Sequence, residues 1–252
     1  MLQAETLPQT RPAVTIRGQG AIGLSLALLI VAAWLGLHVH GVYFYRWNAW
    51  SWVVVPLAMA VQTWLSVGLF IIAHDAIHGS LAPGRPWLNR VVGQLCVGLY
   101  AGFRFSRLEG NHHRHHEESG TGGDPDFDPD APGRLVPWFL RFFRTYFGGV
   151  EFAVLTVWLG VAIFVLGAAP ANLIAFWGLP AILSAFQLFF FGTWLPHHHD
   201  DAARPFEDHH NARSNGFGPL LSLLTCFHFG RHHEHHLHPY LPWWRIPDLS
   251  RD

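Results

Sequence analysis

A chain of 252 residues that is 50% apolar, only 13% charged and positive in mean hydropathy is too oily for an ordinary soluble domain and reads as a membrane protein. Its basic residues are sixteen arginines and no lysine against seventeen acids, a formal charge of −1, so no general polyanion-binding surface follows. Two cysteines, Cys96 and Cys226, each inside an apolar run, exclude a disulfide framework and read as small core residues.

The chain opens with a polar tail over 1–17, followed by a stretch from Gly18 to Tyr45 without a charged side chain and with an apolar core from Ala21 to Leu37. No small-residue cleavage site follows at "LHVHGVYF", so this first span is expected to stay as an anchor. A second uncharged stretch, Asn48 to Ala73, begins with Trp50 and Trp52, which suit a membrane interface, and ends at "HDAIH". Val91 to Phe103 is apolar but too short to cross as a helix and reads as interfacial or re-entrant. "GTGGDPDFDPDAPG", Gly120 to Gly133, reads as an ordinary turn-rich polar loop. From Phe152 to Leu195 run 44 residues without Asp, Glu, Lys or Arg. As helix that is roughly 66 Å, two crossings of a core about 30 Å thick, with the turn at Gly167 to Asn172. Pro219 to Phe229 is again too short to cross.

The expected architecture is an all-α integral membrane protein, one domain over 1–252, with four transmembrane helices plus short interfacial or re-entrant helices. Buried helices of a soluble protein are the weaker alternative. Four crossings put the N-terminus, the segment from His74 to Glu151 and everything after Leu195 on one side. Fifteen of sixteen arginines fall there, Arg46 being the exception, which makes that side cytoplasmic by the positive-inside bias. Seventeen of nineteen histidines fall there too, all but His38 and His40.

"HDAIH" sets His74 and His78 four residues apart, one helical turn on one face. "HHRHH" contains His112, His115 and His116 in an HxxHH pattern, and "HHEHH" repeats it with His232, His235 and His236. Positions i, i+3 and i+4 share a face, so each box is expected to offer three nitrogens in one direction. A lone histidine near a membrane surface is more often a satisfied polar group, but three spaced boxes reverse those odds, because a divalent metal binds the neutral imidazole and offsets its desolvation. Eight box histidines are too many for one tetrahedral zinc and fit two metals, while counting alone does not separate iron from copper or nickel. "TWLPHHHDD" adds His197 at the end of the last span as a ninth candidate; His198 and His199 have weaker claims. Asp75, Asp124, Asp126, Asp200, Asp201 and Asp208 are candidates to accept a ligand's second ring N–H, although for any one of them a solvated loop carboxylate is the stronger expectation.

These boxes, with "HDAIHGSLAPGRPWLN", "LYAGF", "GTGGDPDFDPD", "FGTWLPH", "HNARS" and "PLLSLLTCFHFGRHHEHHLHPYLPWWRIP", resemble the histidine-box membrane di-iron oxygenases of the fatty-acid desaturase and hydroxylase superfamily. Within it, the sequence resembles most the bacterial beta-carotene ketolases, the 4,4'-oxygenases, in motif order and over most of His74 to Pro247. The resemblance implies two iron ions, dioxygen as co-substrate, electrons from reduced ferredoxin through a reductase, a carotenoid taken from the bilayer, and a bacterial inner-membrane location. Position by position it implies the ligand set His74, His78, His112, His115, His116, His197, His232, His235 and His236. His228, which opens the last motif, is left open between a ligand and an outer partner. Glu118, in "HHEESGT", stands where the family carries a further histidine.

The implied reaction inserts a keto group at carbon 4 of the beta-ionone ring by two hydroxylations and a dehydration. A hydroxylase or lipid desaturase would use the same boxes. A membrane metal-binding or transport protein is the rival from another class; the uncharged spans, without histidine between their ends, argue against a metal path through them.

Overall fold

The computed structural model describes residues 17–199 and 205–251; nearly all of the polar tail, and the candidates Asp200 and Asp201, lie outside the described residues. Among these residues there is no strand, only a single bridge between Ser214 and Arg231. Three helices are long and apolar enough to cross a membrane: α1 Gln19–Phe44, α2 Ser51–Ile77 and α7 Pro170–His197. At 26 to 28 residues each spans about 40 Å. Their outer faces expose large apolar side chains such as Leu28, Trp52 and Leu57, which suits lipid and not water.

The other expected crossing, Phe152 onward, corresponds to a shorter helix. Between α2 and it lie α3 Pro86–Ala101, α4 Phe105–Glu118 and α5 Leu135–Tyr146, followed by α6 Gly149–Val165. α6 meets the length and hydropathy of a span only together with α5, from which it is bent by 76°, so the crossings number three, or four with the bent pair. The bend lies at Phe147 and Gly148, where the backbone is extended and Glu151 turns back to accept the Gly148 N–H at 3.1 Å. Arg104 and Arg107 both reach that buried carboxylate, pinning the start of α6 to α4. The turn into α7 falls where the sequence places it: Gly167 takes a left-handed φ of +71° and Pro170 opens the helix.

α2 is the central helix, packed against α1, α3 and α7. Polar contacts bridge the apolar helices: the Trp34 indole donates to Ser66 at 2.9 Å, and Asn172 accepts from Trp47 while donating to the carbonyls of Val42 and Tyr45. α7 is continuous despite Pro180 and Pro196. Each proline follows a π-wound stretch, Ile174–Gly178 and Phe190–Trp194, that contains the carbonyl four residues before it. The wider turn receives the proline ring where an α-helical turn would clash.

The short apolar run is α8 Pro219–Cys226. Trp64 donates to the Leu223 carbonyl and Gln187 to that of Thr225, clasping α8 between α2 and α7. Phe227 and His228 then take left-handed φ angles of 49° and 66°, unfavourable for non-glycine residues, and turn the chain sharply into α9 His232–Leu237. Phe227 is held there by stacking on Trp64 at 4.5 Å and by Gly68, where any Cβ would strike its ring. The bend brings α9 back over the ends of α2 and α4.

Candidate metal centre

The nine candidate histidines meet in two groups at one end of the bundle. The first holds His74 and His78 from α2, His112 and His116 from α4, and His235 from α9; the second holds His115, His197, His232 and His236. Within each group one ring nitrogen per residue lies within 4.8 Å of all the others. Each HxxHH box is split, contrary to the expectation of three nitrogens in one direction. The i and i+4 members, 40° apart on a helix, share a group, whereas the i+3 member, on the other side of the first, joins the opposite one. α4 and α9 do this reciprocally, so His115 sits with His232 and His236, and His235 with His112 and His116.

In the first group the Nε2 atoms form a chain of contacts: His78 to His112 at 2.8 Å, His112 to His116 at 3.1 Å, His116 to His235 at 3.0 Å and His235 to His74 at 3.1 Å. A neutral imidazole nitrogen carries either one proton or one lone pair, so His112, His116 and His235, each facing two neighbours, cannot satisfy both by hydrogen bonds. Lone pairs directed at a shared cation satisfy all of them. Metal–nitrogen bonds of about 2.1 Å meeting at right angles set neighbouring nitrogens about 3 Å apart, matching these contacts. In the second group His232 and His236 approach at 3.1 Å, and His197 Nε2 is buried with no partner. The donor set thus fits two metal ions.

The outer nitrogens show how two of the rings are held. His115 donates its Nδ1–H to Asp124 at 2.9 Å, and His197 donates its Nδ1–H to the Asn211 carbonyl at 2.7 Å, leaving each Nε2 free as a lone pair. Asp124 also accepts the N–H groups of Gly120 and Asp126. The loop from Gly120 to Gly133 is therefore not an ordinary solvated loop: Asp124, Asp126 and Asp128 are buried, Asp126 accepts the Tyr146 hydroxyl, and its carbonyl accepts the Trp138 indole at 2.6 Å. Asp75, beside His74, is buried as well and accepts the Trp243 N–H at 3.2 Å, tying the C-terminal segment to α2. Of the candidate carboxylates among the described residues, only Asp208 fits the solvated reading in part; it pairs with His233 at 3.0 Å.

The remaining histidines fall outside both groups. His228 bonds Ser222 and lies over Trp243; His198 stacks on Trp194; His199 packs on Phe127. Asp208, His209 and His210 form a separate, partly exposed cluster, and Glu118 is exposed. Sequence reasoning missed the Asn211 carbonyl, although "HNARS" marked the segment; Asn211 adopts a left-handed φ of 45° there.

Burial first, and the neighbouring imidazoles second, push His78, His112, His232, His235 and His236 well below the ordinary imidazole range. Burial acts on His115 the same way, but Asp124 outweighs it and the net direction is upward. Five rings are neutral in the folded chain yet take up protons near 6.5 once unfolded, so their contribution to stability is present above about 6.5 and lost as pH falls below it. His115, shifted oppositely, offsets only one of them. Metal-free protein in detergent is expected to melt at progressively lower temperature from pH 7.5 to 5.5, as thermal scans would show; a flat or rising profile contradicts the assignment.

Both groups border a narrow cleft, partly open to the outside. His74, His112, His115 and His232 close one part of its wall, while Phe70, Ile77, Phe103, Phe143, Leu188 and Phe229 make most of the rest apolar. Gly192, in the second π-wound stretch of α7, lets Phe229 pass, since a Cβ there would lie 2.7 Å from its ring. Phe229 in turn packs on His74 at 4.6 Å and His232 at 4.8 Å, forming an apolar backing for the histidines.

The fatty acid desaturase family model matches residues 50–155 and 150–252. A beta-carotene ketolase of Paracoccus sp. (strain PC1) is 49% identical over 233 residues, covering 91% of this chain and 93% of that protein. Another, from Paracoccus sp. (strain N81106 / MBIC 01143), is 51% identical over 219 residues, 86% of this chain and 88% of that one. A zeaxanthin 4-ketolase of Chlamydomonas reinhardtii is 37% identical over 234 residues, 89% of this chain and 52% of its own length. Matched from α2 to its end by the family model, and along most of its length by ketolases at about half identity, the chain belongs to the fatty acid desaturase family and, within it, to the beta-carotene ketolases.

Proposed function

We propose that this protein is a beta-carotene ketolase, an oxidoreductase that converts the carbon-4 methylene of a beta-ionone ring to a ketone, taking beta-carotene to echinenone and canthaxanthin. The observation that carries this reading is the apolar cleft walled by histidines of both groups. A wholly apolar substrate needs such a passage, and Phe70, Ile77 and Leu188 on the spans α2 and α7 let a ring enter while its polyene remains in lipid.

His74, His78, His112, His116 and His235 hold one iron ion and His115, His197, His232 and His236 the other. Bound iron supplies the oxidising power that breaks an unactivated C–H bond with dioxygen. The protein holds the nitrogens in place, excludes water with Phe229 and Phe103, and presents carbon 4 to the wall of histidines. Each hydroxylation consumes one dioxygen, two electrons and two protons, leaving one oxygen atom on carbon and the other in water. The second gives a geminal diol, which loses water to the ketone. Reduced ferredoxin and its reductase supply the electrons. The chain forms one domain in the bacterial inner membrane, with the bent pair α5 and α6 as the third of four crossings and the histidines on the cytoplasmic side. That sidedness rests on the distribution of its arginines.

Pigments from bacteria that make beta-carotene and express this chain are expected to gain one or two keto groups, read by chromatography with mass spectrometry. Unchanged beta-carotene, with membrane expression verified and an electron donor present, rejects ketolation of this substrate.

A further inference from the structure

The two histidine groups differ in how an ion reaches them. In the first, His78 and His116 are part-exposed, so an ion enters directly from water. In the second, His115, His197, His232 and His236 are all buried, none more than 3% exposed. The cleft that borders His115 and His232 is a poor route, because walls such as Phe70, Phe103 and Leu188 offer a cation nothing in exchange for its water. A buried metal site nevertheless needs an entry path.

Among the described residues, one cluster of donors that contains none of the nine ligands stands at such an entrance. Asp208, His209 and His210 each offer a ligand atom, and the three atoms lie within 4.8 Å of one another. The rings of His209 and His210 are 4.1 Å apart, and that of His210 lies 5.5 Å from the ring of His236. The cluster thus leads from the exposed His209 to a buried ligand of the second group in one step. Asp208 accepts the His210 backbone N–H on one oxygen at 2.9 Å and pairs with His233 on the other at 3.0 Å; Glu207 lies 3.8 Å from the same His233. These contacts fix the carboxylate and leave each oxygen a lone pair for a cation. His210 Nδ1 is buried without a hydrogen-bond partner. The next residue, Asn211, orients His197 through its carbonyl, so the backbone also anchors the cluster to the second group.

We propose that Asp208, His209 and His210 form a third metal site, which takes a ferrous ion from water and passes it by way of His210 to His236 and the second group. This rests on the two-iron reading. Two imidazoles and one carboxylate suit Fe2+ and leave coordination positions open. Three donors, one of them on an exposed residue, release an ion that the four buried nitrogens of the second group then retain.

Two measurements on the full chain in detergent, without oxygen and with Fe2+ as the only added metal, test this. In equilibrium dialysis the iron-loaded parent is expected to take up a third, weakly held ion that His209→Ala lacks. In the second measurement the chain is first stripped of metal, and iron that resists a brief chelator wash is followed with time. His209→Ala is expected to gain its first iron at the parent rate and its second about tenfold more slowly, because a site that concentrates a cation acts on its rate of arrival. Both proteins end with two irons and the same ketone formation. His209→Glu, which keeps a donor at the exposed position, is expected to recover the third ion and most of the rate, which a fault in folding would not allow. A parent with no third ion, or a second iron that arrives as fast in His209→Ala, overturns the inference. So does a final content of one iron in that variant, which would make His209 a permanent ligand or a structural residue. A parent that retains fewer than two irons overturns the two-iron reading itself.

Discussion

Replacing His235 by alanine is expected to abolish ketone formation, by more than about the 100-fold that loss of an outer partner costs a metal site. His235 Nε2 is the link between His74 on α2 and His116 on α4, at 3.1 and 3.0 Å, and it is the one nitrogen that α9 contributes to the first group. Without it four nitrogens from two helices remain, and α9 no longer closes the site. Loss of the buried ring also leaves a void against Phe229, so the helix loses packing as well as coordination. The measurement is pigment analysis together with elemental analysis of the purified variant, which is expected to lose metal from the first group while the second, with its His232 and His236, retains it. Full turnover by the variant overturns the ligand assignment.

Substituting asparagine for Asp124 is expected to cost about 10- to 100-fold in activity or in affinity for the second metal. Both carboxylate oxygens lie within 3.0 Å of His115 Nδ1, and the same two oxygens accept the N–H groups of Gly120 and Asp126. Burial would raise the Asp124 carboxyl, but His115 outweighs it and holds the group below its usual range, so the ionised form is the one in place. Asparagine keeps the shape but turns an amide donor toward one of those N–H donors. It also removes the charge that polarises the His115 ring. The expected pattern in metal titrations is a weakened second site beside an unchanged first; equal weakening of both would mean that Asp124 serves the loop and not His115.

Much of this was legible in the sequence because it rests on local periodicity. Uncharged stretches located α1, α2 and α7, and i, i+3, i+4 spacing located the histidines on helix faces. The splitting of each HxxHH box was not legible, since the spacing places three rings on one side of a helix without saying that a second helix will divide them. α5 was missed because its apolar positions alternate with Arg141 and Arg144, and the third crossing is short because the chain bends at Gly148. The carboxylates misled for a similar reason. "GTGGDPDFDPD" has the composition of a solvated loop, and only the packing of His115, Trp138 and Tyr146 around it takes Asp124 and Asp126 out of water. His197 needed the length of the last span, and its acceptor, the Asn211 carbonyl, is a backbone atom that no side-chain pattern announces. The substrate class came from motif resemblance, now matched by the ketolase relatives.

The central claim is that nine imidazoles from four helices hold two iron ions beside an apolar cleft. Elemental analysis of the purified, catalytically active protein tests it most directly. Two irons per chain, falling to one in the His235→Ala variant while ketone formation is abolished, is the predicted result; an active chain with fewer than one iron, or with zinc in its place, contradicts it.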